Sequence, residues 1–183
     1  MRKYVGEDAI EKAQSLIDAL PPGSVVGLAY NEDTCRLNFE GKKLIEVCDI
    51  DGLISQKQHF DVTVNDYKEE HLDLCVLGIG YKGQIGFNEV ATQFDTLTHE
   101  QKLTESTKKE YAFLGTVSDI GTTMGIKSIC SAGKIIVLAL GEIRADAVFG
   151  MFYGRDDSTI PAAFLQIPPD VDVFLDEAAA SKL

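Results

Sequence analysis

The sequence is poor in basic residues. Its 183 residues include 17 Lys and Arg against 29 Asp and Glu, which gives a net charge of −12 and an isoelectric point of about 4.6. A surface of this charge repels phosphate backbones and anionic membranes. We therefore expect neither nucleic acid nor a membrane among the partners of this protein.

Long hydrophobic runs are also missing. The longest purely aliphatic run, residues 135–140, is far shorter than the ~20 residues that cross a bilayer. The N-terminal stretch is acidic and amphipathic and lacks the apolar core of a signal peptide. These features predict a cytoplasmic protein.

The sequence lacks the spacings that are typical of zinc sites and disulfide frameworks. Cys35, Cys48, Cys75 and Cys130 are far apart and form no C-x-x-C pair, so mostly buried free thiols are favoured. None of the three histidines has metal-ligand spacing with carboxylates or thiols. We expect no metal and no cofactor.

The remaining composition, 45% hydrophobic and 25% charged residues, is that of an ordinary globular chain. The length predicts a single domain over residues 1–183. The charged pairs Glu69-Glu70 and Asp156-Asp157 are expected to be solvated.

Short apolar runs alternate with helical patterns along the chain. The predicted strands are 24–29, 44–50, 72–78, 134–140 and 171–175, and the predicted helices are 9–20, 141–148 with its preceding turn, and 162–165. The segment 117–130 suggests a helix or turn. Near-continuous apolar runs are typical of parallel strands that are covered on both faces. The sequence therefore predicts an α/β fold with three αβα layers and a mostly parallel, Rossmann-like central sheet.

The most informative loop follows the predicted strand 72–78 and reads Leu77-Gly-Ile-Gly-Tyr-Lys-Gly-Gln-Ile-Gly-Phe-Asn-Glu89. Its glycines permit close approach of the backbone to a ligand. The carboxyl ends of strands in open α/β sheets form the crevice where ligands bind.

This loop resembles the hallmark of the glucosamine-6-phosphate deaminase (isomerase) family, which is related to the 6-phosphogluconolactonases. The family pattern reads approximately L-G-I-G-x-D-G-H-I-x-F-N-E-P, and the chain departs from it at the aspartate, the histidine and the proline. The similarity continues through the segments 94–99, 103–104, 135–141, 161–166 and 175–179. It implies conversion of an aminosugar phosphate to a ketose phosphate and ammonia, and it implies a homo-oligomer.

The resemblance implies catalytic roles for four positions. Asp51 stands where the family has its proton-transferring aspartate, and Glu89 matches the glutamate of F-N-E. Lys82 and Gln84 stand where the family has the aspartate and the ring-opening histidine of D-G-H. Glutamine does not exchange a proton near neutral pH, so the usual ring-opening group is missing.

The resemblance also assigns substrate contacts. The implied binding residues are Gly78, Gly80, Gly83, Asn88 and Arg144. G-x-G-x-x-G by itself is a weak sign of dinucleotide binding, and the continuation into Asn88-Glu89 fits the sugar-phosphate family better. Arg144 stands where the family has a lysine, and it can pair bidentately with a phosphate.

The segment that corresponds to the family's phosphate-binding turn, residues 30–35, is acidic. Glu32 and Asp33 would each repel a dianion at 4 Å by roughly 1 kcal/mol in water, so phosphate is disfavoured here unless both point away. An expected phosphate-binding arginine aligns with Phe113, with Lys108 and Lys109 as the nearby substitutes. The segment between Gly52 and Leu72 is too short for the usual lid, which predicts a shallower cleft.

Alternatives remain for each catalytic position. Asp51 is either a general base or an ordinary turn residue before Gly52. Glu89 either orients a catalytic group or only closes a hydrogen bond or salt bridge. A nucleophilic role of the Lys82 amine would require a desolvated side chain, and nothing in the sequence indicates desolvation. Two functions stay open: an enzyme that acts on a sugar phosphate, or an inactive sugar-binding sensor or partner subunit.

Overall fold

The computed structural model describes residues 1–155 and 159–183 of the chain. The pair Asp156-Asp157, expected to be solvated, lies outside the described residues. The strands are β1 (Arg2–Val5), β2 (Val25–Leu28), β3 (Lys43–Glu46), β4 (Cys48–Asp49), β5 (Leu74–Gly78), β6 (His99–Lys102), β7 (Ile120–Thr123), β8 (Ile135–Ala139) and β9 (Val171–Leu175). The α-helices are α1 (Ala9–Asp18), α2 (Glu105–Glu110), α3 (Ile126–Cys130) and α4 (Ala145–Tyr153), and short 3-10 turns lie at Thr34–Arg36, Ala112–Leu114, Glu142–Arg144 and Pro161–Gln166.

The central sheet has six strands in the order β1-β9-β8-β5-β2-β3, and all of its strand pairs are parallel. Its inner strands β5, β8 and β9 are fully buried along their whole length. Helices flank this sheet, with α1 packed against β8 and β9 and α4 packed against the turn at Pro161–Gln166. The predicted α/β architecture with a mostly parallel, Rossmann-like sheet is confirmed.

Helix α1 illustrates how the local sequence specifies an element. Ala9, Ala13 and Ile17 recur every four residues, and all three are buried against the sheet. The helix ends at Asp18, just before Pro21, which cannot continue a helix.

A second sheet was not predicted. Strands β4, β7 and β6 form a three-stranded antiparallel sheet in that order. The predicted strand 44–50 is therefore wrong as one element: the chain leaves the central sheet at Val47, whose N–H bonds Leu28, and its continuation pairs with β7. The segment 117–130, predicted as helix or turn, contains β7 followed by α3.

Strands β1 and β6 were not predicted, because both lie at the edges of their sheets. All four residues of β1 are exposed, and β6 alternates half-buried and exposed positions with no apolar run. β1 is held to β9 by parallel pairing and by ion pairs from Arg2 to Asp170 and Asp172. Edge pairing of this kind leaves no local signal in the sequence.

The segment from 53 to 71 covers one edge of the central sheet and is attached by the buried carboxylate of Glu46 and the exposed carboxylate of Asp61. Glu46 accepts hydrogen bonds from Ser55 Oγ at 2.7 Å and from the Val64 N–H at 3.0 Å. Asp61 accepts one from the Leu44 N–H at 2.6 Å. Burial raises the pKa of Glu46 to about 7, although its two hydrogen bonds lower it.

All four cysteines are free, and Cys48 and Cys75 are buried as expected from their apolar surroundings. Among the described helices there is none with the length and apolar character that a bilayer crossing requires.

Candidate active site

Three loops meet at the carboxyl ends of the neighbouring strands β2, β5 and β8. They are the residues 29–36 after β2, 79–89 after β5 and 140–144 after β8. The first and third loops are joined directly, because the Leu140 N–H donates to Asp33 Oδ2 at 3.2 Å. Parallel strands bring their carboxyl ends to one edge, where open α/β sheets bind ligands.

The glycines of the loop after β5 lie against side chains of the protein itself. A Cβ on Gly78 would be 1.7 Å from the Asn31 amide, and one on Gly80 would be 2.5 Å from Gln84 Oε1. Gly83, with φ +82, packs against Ile160 in the same way. The close approach that these glycines permit is therefore used by Asn31, Gln84 and Ile160 in this structure, and their predicted substrate contacts stay a prediction.

Gln84 and Glu89 form the centre of a buried hydrogen-bond network. Gln84 Nε2 donates to Glu89 Oε2 at 3.1 Å and to Thr107 Oγ1 at 3.2 Å. Glu89 Oε1 accepts from the Thr104 N–H at 3.0 Å, from Thr104 Oγ1 at 3.1 Å and from Thr107 Oγ1 at 2.5 Å. Glu89 thus joins the loop after β5 to the start of α2. A hydrogen-bonding role of Glu89 fits this geometry, and its orienting role toward a substrate stays a prediction.

Exchange of Glu89 for Gln is expected to lower the free energy of unfolding by about 1 to 2 kcal/mol. The amide would put a second donor against Gln84 Nε2, where the carboxylate now accepts. The exchanged pair Gln84→Glu with Glu89→Gln restores one donor and one acceptor, so it should recover at least half of the loss. Urea denaturation of the three proteins checks this, and an unchanged midpoint in Glu89→Gln would contradict the importance of the network.

Asn88 holds the end of the same loop. Its Nδ2 donates to the carbonyls of Ile85 and Met124, each at 2.8 Å. Its Oδ1 is buried and has no hydrogen-bond partner among the described residues. The observed contacts of Asn88 connect the loop to the chain after β7, and its predicted contact to substrate remains untested.

Asp51 and Lys82 are exposed, and neither side chain has a hydrogen-bond or ion-pair partner in the described part of the chain. Asp51 occupies a left-handed turn with φ +51. The turn is shaped by Asp49, which was not singled out in the sequence: its buried carboxylate accepts from the N–H groups of Gly52 at 2.6 Å and Ile54 at 2.9 Å. The structure therefore brings Gln84 and Glu89 together but leaves Asp51 and the Lys82 side chain outside their network.

Arg144 is buried and paired with two acids. Its Nε donates to Asp33 Oδ2 at 2.7 Å, and its Nη1 lies 3.5 Å from Glu110 Oε1. The guanidinium also lies over the Tyr81 ring, 5.2 Å from the ring centre. Burial lowers the pKa of Arg144, but pairing with Asp33 and Glu110 outweighs it and holds that pKa above its ordinary value.

Glu110 was not predicted as a site residue. Burial raises the pKa of Glu110 to about 7, against the opposing effects of Arg144 and the Tyr81 N–H. Helix α2, which carries Glu110 and Thr107, is short and polar, so its buried face has no clear periodic signal. Lys108, considered as a substitute phosphate ligand, instead bonds Glu105 at 2.5 Å and Asp119 at 2.7 Å.

The space enclosed by Asn31, Gln84, Thr107 and Glu110 is small. The cavity among them measures about 10 Å³, about the space of one water molecule. No group of three or more His, Cys, Asp or Glu in the described ranges is arranged to hold a metal ion.

No family model matches the chain. The chain is similar to a glucosamine-6-phosphate deaminase of Streptococcus thermophilus, with 41% identity over 150 residues that cover 79% of this chain and 64% of the relative. It is similar to a glucosamine-6-phosphate deaminase of Listeria welshimeri, with 49% identity over 119 residues that cover 63% of this chain and 51% of the relative. The chain thus spans less than two thirds of the length of either curated relative.

Solved structures show the same fold. A monomeric glucosamine-6-phosphate deaminase superposes over 100% of both chains with a TM-score of 0.84 and 24% identity. The 6-phosphogluconolactonase of Trypanosoma brucei superposes over 100% of this chain and 98% of its own, with a TM-score of 0.69 and 14% identity. The chain is therefore a homologue of the glucosamine-6-phosphate deaminases, with the α/β fold of the solved deaminase and 6-phosphogluconolactonase structures.

Proposed function

We propose that the chain is an aminosugar-phosphate deaminase/isomerase-like protein of carbohydrate metabolism. The observation that carries this proposal is the loop from Gly78 to Glu89, which lies at the carboxyl ends of the central strands and is tied to α2 by the Gln84–Glu89 network. The homologues at 41% and 49% identity are named as glucosamine-6-phosphate deaminases and support an aminosugar phosphate as substrate. Glucosamine 6-phosphate and galactosamine 6-phosphate are the two substrates proposed.

In the proposed reaction an aminosugar phosphate is isomerised by transfer of the C2 proton to C1, which gives an imine at C2. Water then adds at C2 and the amine leaves as ammonia, so that a ketose phosphate remains. Asp51 transfers the proton at C2 of the open-chain sugar, for which an exposed carboxylate on a turn is accessible. Glu89 orients the group at position 84, and Arg144 holds the phosphate. Because Gln84 cannot exchange a proton, ring opening relies on water or on substrate that is already open.

A second candidate function is a catalytically inactive sensor or partner subunit that binds a sugar or sugar phosphate. It is favoured by the pairing of Arg144 with Asp33 and Glu110, which compensates the charge of the arginine that would hold a phosphate.

We also propose the domain organisation of the chain, which is a single domain over residues 1–183 with a shortened lid between Gly52 and Leu72. We further propose that the protein uses no cofactor, is cytoplasmic and self-associates. The described part of the chain offers no observation that assigns an oligomer interface.

Glucosamine 6-phosphate is expected to raise the melting temperature saturably and to release ammonia slowly. Asp51→Asn should abolish the release, whereas Asp95→Asn, which changes an exposed aspartate elsewhere, should not. Thermal-shift titration and an ammonia assay measure both effects, with galactosamine 6-phosphate, glucosamine and 6-phosphogluconate as comparison ligands. Stabilisation without ammonia would favour the sensor, and no stabilisation with any ligand would contradict both functions.

A further inference from the structure

The Arg144 guanidinium is an unusually enclosed cation. Its side chain is 4% exposed, and the side chain of its closest acid, Asp33, is 10% exposed. The two residues are 111 positions apart and come from the loops after β2 and β8. Asp33 Oδ2 also accepts the Leu140 N–H, so this one carboxylate oxygen joins both loops.

The hydrogen bonds of this guanidinium are incomplete. Nε is bonded to Asp33, but Nη1 is buried and has no hydrogen-bond partner among the described residues. Its 3.5 Å approach to Glu110 is an ion pair without hydrogen-bond geometry. A guanidinium has five N–H donors in a planar fork, which matches the oxygens of a phosphate better than it matches one carboxylate oxygen.

The neighbouring backbone N–H groups are occupied by the chain as well. The N–H groups of Asp33 and Thr34 both donate to Asn31 Oδ1, at 3.0 and 2.9 Å. Thr34 Oγ1 is 3.0 Å from the same oxygen. The donors of the turn after β2 are therefore bonded to Asn31 Oδ1, and the nearby guanidinium of Arg144 is bonded to the Asp33 carboxylate.

We propose that Asp33 is the residue that determines the ligand specificity of this crevice, because its carboxylate competes with the phosphate of a ligand for Arg144. The inference rests on the proposed function and deepens it by naming how the crevice discriminates among sugars. Asp33 is tethered and loses no translational freedom when it pairs with Arg144, whereas a free phosphate does. Until Asp33 is displaced, the crevice therefore binds the phosphate of a sugar more weakly than it would with Arg144 unpaired.

The second acid adds to this competition only in its ionised form. Burial raises the pKa of Glu110 to about 7, so its ionised fraction increases as the pH rises through neutrality. Arg144 with ionised Asp33 is already electrically neutral, and any ionised fraction of Glu110 makes the cluster negative. Both effects oppose a dianionic ligand.

The test is the affinity for inorganic phosphate of the full chain and of Asp33→Asn. The amide is isosteric with the carboxylate, can still accept from Arg144 Nε, and removes the charge. We expect phosphate to bind Asp33→Asn at least about tenfold more tightly in calorimetric titration at constant ionic strength. Asp95→Asn is the matched control, because it removes the same charge from an exposed aspartate outside the crevice, and it should leave the affinity unchanged.

Arg144 must mediate the effect. Asp33→Asn with Arg144→Gln should lose the gained affinity, and Glu110→Gln alone should gain less than Asp33→Asn. Equal phosphate affinity in wild type and Asp33→Asn, or an equal gain in Asp95→Asn, would overturn the proposal. Circular dichroism establishes that each variant is folded, and if Asp33→Asn does not fold, Asp33→Ser and Glu110→Gln carry the same comparison.

The experiment separates this inference from the proposed function. A gain of phosphate affinity in Asp33→Asn without ammonia release by any variant supports the specificity role and contradicts the enzyme. Ammonia release by the wild type without a gain in Asp33→Asn contradicts the specificity role and leaves the enzyme supported.

Discussion

Replacing Gln84 with His and Lys82 with Asp is expected to raise ammonia release from glucosamine 6-phosphate by about 100-fold, the lower range of what a positioned general acid–base group contributes. Gln84 lies 3.1 Å from Glu89 Oε2, so an imidazole at this position would have a carboxylate partner. Such a partner favours the imidazolium and fixes the ring orientation. Protonation of the sugar ring oxygen requires an acid that carries a proton and that points toward this oxygen, and the carboxylate partner favours both.

The second exchange, Lys82→Asp, replaces a positive charge with a negative charge in the loop after β5. The Lys82 side chain is exposed and has no partner among the described residues, so its replacement breaks no side-chain contact. The backbone N–H of Lys82 donates to Gln84 Oε1, and the exchange of Gln84 removes this acceptor. An acid at position 82 adds a second carboxylate near the imidazole. We therefore expect the double variant to exceed Gln84→His alone.

The measurement is a coupled ammonia assay with the wild type, the single variants and the double variant. The same exchanges combined with Asp51→Asn serve as the control and should show no gain, because proton transfer at C2 would still be missing. If the folded double variant shows no gain, the ring-opening group is not the limiting defect. Addition of Asp33→Asn then tests whether phosphate binding limits the reaction.

Replacing Glu46 with Gln is expected to stabilise the protein by up to about 3 kcal/mol at pH 8 and to leave its stability nearly unchanged at pH 4.5. Burial raises the folded-state pKa of Glu46 from its ordinary 4.5 to about 7. Between these pH values the unfolded chain loses the proton and the folded protein keeps it. The unfolded state then binds fewer protons, so the stability of the wild type falls as the pH rises through this window.

The amide preserves both contacts of Glu46. Its oxygen can accept the Val64 N–H, and its nitrogen can donate to Ser55 Oγ, as a protonated carboxyl does. Glu110 also has a pKa of about 7 in the folded protein, so the Glu46→Gln variant should retain part of the pH slope.

Urea unfolding between pH 4.5 and pH 8 measures this effect. Glu100→Gln, at an exposed position of β6, is the matched control and should follow the wild-type profile. Parallel profiles of wild type and Glu46→Gln would contradict a raised pKa of Glu46.

The central strands and the loop after β5 were predictable because their signals are local. The runs that became β2, β5 and β8 are apolar, and β9 is apolar except for Asp172; near-continuous apolar runs are typical of strands covered on both faces. The G-I-G-x-x-G-x-I-x-F-N-E segment carries its own turn chemistry in its glycines. The predicted helix at 9–20 likewise needed only its four-residue spacing and the prolines that follow.

The second sheet and the site were beyond local reasoning. β6 is polar and is stabilised by pairing with β7, about 20 residues away in the sequence. Gln84 and Glu89 were predicted at the site, but their partner Thr107 lies on a helix with no periodic signal.

The sequence by itself determined the apolar strands and indicated the parallel architecture, since both depend on local runs of residues. That Gln84 stands in the place of a histidine followed from the resemblance of this loop to the glucosamine-6-phosphate deaminases. Only the tertiary structure decided that Asp33 pairs with Arg144 and that Asn31 covers Gly78. The sequence shows that positions 32 and 33 are acidic, but it does not show the direction in which either carboxylate points. The parallel strands β8, β5 and β2 bring the loops after β2 and β8 to one edge of the sheet, where Asp33 and Arg144 pair with little exposure to solvent.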